Sequence, residues 1–135
     1  MPIEKYNTVL IVGPDSPITE AMKEAFHEEK GNIIIGDGIN YVTPQQLESL
    51  RGNVDSRTAF HLCGHGSIDK DYKGLHSITI LENVESSSSA TPLLFSKINE
   101  LVEHKPVEVH IWSCYASDVL YHQESTLPNL SLIHI

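Results

Sequence analysis

Short, continuous apolar runs punctuated by glycine and proline set the pattern of this chain. Thr8-Val9-Leu10-Ile11-Val12 is rich in β-branched residues and stops at Gly13-Pro14, as a strand buried on both faces does. Asn32-Ile33-Ile34-Ile35, ended by Gly36-Asp37-Gly38, predicts a second strand, and Thr58 to Cys63 a third. Val107-Glu108-Val109-His110-Ile111-Trp112-Ser113-Cys114 predicts a fourth. Helical periodicity fills the intervals. Asp15 or Ser16 caps an expected helix with Pro17 in its first turn and Ile18, Met22, Ala25 and Phe26 on one face, running to Lys30 before Gly31. Thr43-Pro44 opens a short helix through Leu47 and Leu50. Thr91-Pro92 opens another, with an apolar stripe of Leu93, Leu94, Ile98, Leu101 and Val102 that ends before Pro106. Ser67 onward, through Asp69, Lys70, Asp71 and Gly74, reads as a polar loop before the apolar piece Ile78-Thr79-Ile80-Leu81, and Glu85 to Ser89 as a second loop. Strands alternating with helices predict an α/β fold, a mainly parallel sheet flanked by helices, in one domain over residues 1–135.

Composition narrows the function classes. A length of 135 residues buries a core without disulfide or metal staples, and 40% hydrophobic with 20% charged residues suits a globular domain. The formal charge of −9, with Arg51 and Arg57 the only arginines, argues against nucleic acid and anionic membranes, both of which need clustered cations. Two cysteines make no disulfide framework and suggest a reducing compartment. The segment Met1-Pro2-Ile3-Glu4-Lys5-Tyr6 has neither the basic nor the apolar region of a signal peptide, and no run reaches membrane-spanning length. The expected location is the cytoplasm, or a host cytosol reached through a dedicated secretion machine.

Two strand-like runs end in reactive residues. The third leads into Gly64-His65-Gly66-Ser67 and the fourth into Ser113-Cys114-Tyr115-Ala116. If they are parallel neighbours, both residues emerge at the carboxyl edge of the sheet, where open α/β proteins bind ligands. Cys114 follows His65 by 49 positions (114 − 65), enough for the helical crossover that parallel neighbours require. Cysteine is the stronger nucleophile as its thiolate, and a histidine within reach handles the protons.

His65-Gly66 and Ser113-Cys114 resemble the marks of the caspase-like cysteine peptidases of clan CD: a hydrophobic strand ending in His-Gly and a later one ending in a small residue and Cys. Gly64-His65-Gly66 and Trp112-Ser113-Cys114 are most similar to the bacterial branches, the CHAT-type peptidases and self-processing toxin proteases; the Gln-Ala-Cys segment of eukaryotic caspases is missing. The resemblance implies a caspase-like α/β/α sandwich acting without a cofactor on a protein or peptide substrate. Cys114 would attack the peptide carbonyl and form a thioester, with His65 as general acid/base. The N–H groups of Gly66 and Cys114 would form the oxyanion hole, worth about 3 kcal/mol per donor in hydrolases. In the family the loop after the first strand helps line the primary specificity pocket, which assigns Asp15 and Ser16 to substrate binding and favours Lys or Arg at the cleavage position.

The residues leave other readings open. His61, Cys63, His65 and Cys114 are zinc-ligand types, but their spacing is unlike zinc knuckles and Cys63 sits where the core needs filling, so no metal is expected. A Cys63–Cys114 redox bridge is a further alternative. Only residues 115–135 follow Cys114; they supply one strand at most, so the sheet is expected to be incomplete, with residues 122–135 a truncated or irregular tail. An incomplete sheet exposes an edge, which favours a homodimer. It also favours the alternative function, a catalytically inactive or incomplete caspase-like module that binds a protein.

Overall fold

A computed structural model describes residues 5–15, 24–26, 31–69, 75–81, 87–112 and 130–134. Strands β1 (Thr8–Val12), β2 (Asn32–Ile35), β3 (Ala59–Cys63), β6 (Val107–Trp112) and β7 (Leu130–His134) form a five-stranded sheet in the order β2-β1-β3-β6-β7. Every pairing in it is parallel. β1 and β2 have their expected ends, β3 starts one residue later than expected, and β6 starts at Val107 as expected, with Ser113-Cys114 outside the described residues. β7 lies in the tail, beside β6, with Val107 opposite Leu130. Helices α1 (Pro44–Glu48) and α2 (Ser87–Leu101) complete the regular elements together with the hairpin β4 (His65–Asp69) and β5 (Leu75–Thr79).

That hairpin corrects the expected polar loop. Asp69 closes β4 opposite Leu75, and the strand begins at His65, directly after β3. Gly66 and Ser67 broke the apolar pattern, but an antiparallel pair at the end of a sheet needs no continuous apolar run.

Period-2 alternation divides the sheet into two faces. Val9, Ile11, Phe60, Leu62, Val109 and Ile111 form one core with Leu47 and Leu50, in and just after α1, and with α2. Leu10, Val12 and Cys63 form a second cluster on the other face, against Phe26, Ile34 and Trp112. Phe26 belongs to the helix expected between Asp15 and Lys30, which otherwise lies mostly outside the described residues. α1 forms as its sequence directs: Thr43 Oγ1 accepts from the Gln46 N–H at 3.2 Å and Gln46 Oε1 accepts from the Thr43 N–H at 2.8 Å, a capping box with Pro44 in the first turn.

α2 differs from expectation at two points. It starts at Ser87, so Ser87–Ser89 is helical and Pro92 is internal rather than at the first position. Its buried stripe is Leu94, Phe95, Ile98, Leu101 and Val102, while Leu93 is 54% exposed. Steps of about 100° put Leu93 on the far side of Leu94 from Phe95, so only one of the two flanking residues can face the sheet. The larger aromatic takes that place. Glu48, the last residue of α1, pairs with both Arg51 and Lys97, and Arg51 also reaches Glu100, an exposed network joining α1 to α2. Among the described residues no helix is long and apolar enough to cross a membrane.

Candidate active site

The carboxyl ends of β1, β3 and β6 converge in two ladder bonds beyond the strands themselves. The Gly13 N–H donates to the Cys63 carbonyl at 2.8 Å, and the Gly64 N–H to the Trp112 carbonyl at 3.4 Å. Both glycines face the end of β5. A Cβ on Gly13 would lie 2.0 Å from the Thr79 carbonyl oxygen, and one on Gly64 would lie 2.5 Å from the same oxygen. The hairpin therefore folds back over the sheet edge only because both positions lack a side chain. His65 starts β4 directly opposite Thr79, exposed, at that edge.

The His65 ring has a defined partner. Its Nε2 lies 2.6 Å from the Asp15 carbonyl oxygen. A carbonyl only accepts, so Nε2 carries the proton and Nδ1 of the neutral ring keeps its lone pair. Asp15 adopts a left-handed backbone, φ 50°, and its own N–H donates to the Gly38 carbonyl at 2.9 Å. Aspartate tolerates this region better than most residues. The loops after β1 and β2 are thereby linked, and the Gly38 loop is itself organised by Asp37, whose carboxylate accepts from the Ile39 and Asn40 N–H groups at 2.8 Å each. These bonds hold the Asp37 carboxyl down at about 2.

Of the residues singled out in the sequence, His65 and Gly66 follow β3 at the carboxyl edge, Gly66 half-buried opposite Ile78 in the hairpin. Asp15 meets His65 through its main chain, and its carboxylate is on an exposed residue. Ser16 and Cys114 lie outside the described residues, Cys114 two positions beyond the end of β6. Cys63 is fully buried, opposite Val12 and in one cluster with it and Leu10. Among the described residues, no three His, Cys, Asp or Glu side chains gather closely enough to hold a metal ion.

Neither the curated proteins nor the solved structures give a significant match to this chain, and no family model matches it. The chemistry therefore rests on its own residues.

A second group, on the same face as Cys63, was not legible in the sequence as a unit. His61 stacks on His110 with ring centroids 4.3 Å apart and planes 6° from parallel, while Phe26 covers it at 4.7 Å. The Trp112 indole N–H donates to His61 Nδ1 at 3.1 Å, and His110 Nε2 lies 3.3 Å from a Glu108 carboxylate oxygen. Burial, and then the neighbouring His110, push the His61 pKa down to about 4, with Glu108 opposing them. An unfolded chain binds a proton here below the ordinary value near 6.5, whereas the folded chain binds it only near 4. Stability from neutral His61 is thus complete above pH 6.5 and is lost as pH falls to 4. For a half-exposed ring the loss is about 1–2 kcal/mol after solvent screening. Urea unfolding at pH 7 and pH 4.5 should show a difference of that size between wild type and His61→Gln, with the wild type losing more at the lower pH.

Proposed function

We propose that the chain is a caspase-like cysteine endopeptidase domain, with Cys114 as nucleophile and His65 as general acid/base. The observation that carries this reading is the register of β3 and β6. Cys63 pairs with Trp112, 49 positions on (112 − 63), and the same offset relates Phe60 to Val109, His61 to His110 and Leu62 to Ile111. His65 and Cys114 differ by that offset too, each two residues past the last pair. The parallel neighbours required for the dyad are thus the ones that exist.

The His65 tautomer fits the role. Nδ1 takes the thiol proton, and the resulting imidazolium keeps its Nε2–H on the Asp15 carbonyl. The thiolate adds to the substrate carbonyl, forming a carbon–sulfur bond and an oxyanion that the Gly66 and Cys114 N–H groups stabilise. Nδ1 then protonates the departing amine as the carbon–nitrogen bond breaks. Water, activated at the same nitrogen, hydrolyses the thioester. Asp15, whose carbonyl anchors His65, and Ser16, the next residue in sequence, are assigned to the primary specificity pocket, where the acid favours Lys or Arg.

Intact-mass labelling with a peptidyl acyloxymethylketone bearing Lys tests the assignment. One label per chain is expected in the wild type and none in Cys114→Ala, with the rate lowered about 100-fold or more in His65→Ala. Labelling no faster than that by iodoacetamide, and indifferent to His65, would reject the peptidase and favour a binding module.

A further inference from the structure

Trp112 occupies the last described position of β6 and is tied to β3 twice. Its carbonyl accepts from the Gly64 N–H at 3.4 Å, a long bond at the point where the β3 chain turns away into the hairpin. Its indole N–H donates to His61 Nδ1 at 3.1 Å, reaching diagonally across the strand pair, since His61 lies opposite His110 and Cys63 opposite Trp112. Beyond these two bonds the described pairing of β3 with β6 ends, and Ser113-Cys114 follows immediately in sequence. We propose that Trp112 is a positioning residue for the Cys114 nucleophile, its indole N–H held by the His61 acceptor so that the end of β6 keeps its register against β3, the strand that leads into His65. The inference rests on the peptidase reading and assigns to it two residues that do not touch substrate.

The acceptor is suited to this task. An indole donates and never accepts, so the bond requires an unprotonated Nδ1. The groups around His61 keep it so. His110 stacks on one side of the ring and Phe26 covers it from the neighbouring segment, whose described residues include one titratable group, the exposed Glu24. Glu108 lies on His110 rather than on His61. From β3 itself the nearest ionisable neighbour on this face is the buried Cys63. The bond therefore persists through the neutral range and opens in acid, when Nδ1 takes a proton and becomes a donor facing a donor.

Trp112 is the only tryptophan of the chain, so its fluorescence reads the contact without reference to activity. Wild type should show an acid quenching step with a midpoint about pH 4, as the imidazolium forms against the indole, and His61→Gln should lack it. Acyloxymethylketone labelling supplies the functional arm. Trp112→Phe keeps an aromatic ring but loses the donor, and should label about tenfold more slowly, in the maximal rate rather than the half-saturating concentration. His61→Leu should match it. His61→Gln restores an acceptor that does not titrate, and should recover most of the rate while losing the acid limb of the pH profile. If the wild type labels and Trp112→Phe labels at the same rate with the same pH profile, the positioning role is overturned and the peptidase stands. If the wild type does not label, both fall, whatever the fluorescence shows. Circular dichroism on each variant identifies one that fails to fold, and the His61→Gln pH profile then decides the matter alone.

Discussion

Gly13→Ala should destabilise the protein by about 3 kcal/mol or more and slow any His65-dependent chemistry with it. The new methyl would meet the Thr79 carbonyl oxygen at 2.0 Å and its carbon at 3.0 Å, and both belong to the backbone. A side chain could rotate away, but a carbonyl at the end of β5 moves only with the hairpin. Overpacking against a fixed neighbour commonly costs about 1–3 kcal/mol, and backbone displacement takes it to the upper end or beyond. The functional part of the effect follows from connectivity. Gly13 is bonded to Cys63, Asp15 two residues later accepts from the His65 ring, and Thr79 pairs with His65. Shifting the Thr79 carbonyl therefore moves His65 directly. Urea unfolding measures the first effect, and acyloxymethylketone labelling in the folded fraction measures the second. A variant with wild-type stability would show that β5 does not close over this edge.

The second large effect separates two positions of α2 that flank Leu94. Phe95 is fully buried in the main core and Leu93 is 54% exposed. Phe95→Ala should cost about 3–5 kcal/mol, the range for deleting a buried aromatic ring and leaving a cavity behind. Leu93→Ala should change stability by less than about 1 kcal/mol, because most of that side chain already meets water. Midpoints of denaturant unfolding at constant slope give both numbers. Equal losses at the two positions would mean that the helix is rotated from the orientation described.

That rotation is where reading the sequence gave way. Leu93 and Phe95 are both apolar and flank Leu94, so periodicity alone accepts either stripe, and the sheet chooses between them. The helix start was misplaced for a related reason. Thr91-Pro92 has the chemistry of a cap and first position, and the preceding serines have the chemistry of a loop; the structure carries the helix back to Ser87 all the same. Thr43-Pro44 has similar chemistry and does begin α1, because Gln46 completes the reciprocal capping bonds.

The site divides along the same line. The place of His65 was legible because an apolar strand ending beside glycine announces a carboxyl edge, and Cys114 lies outside the described residues. The bond from His65 to the Asp15 carbonyl was not, since a main-chain acceptor leaves no trace in residue identity. Nor was the Trp112–His61 pair, 51 positions apart. By itself the sequence determined β1, β2, β3 and the start of β6, their approximate spacing, and the alternation that gives each strand two faces, because these depend on local runs of side chains. Only the tertiary structure decided the hairpin over the sheet edge, the face that α2 buries and the partners of His61 and His65, because each depends on which distant backbone a residue meets once the sheet has closed.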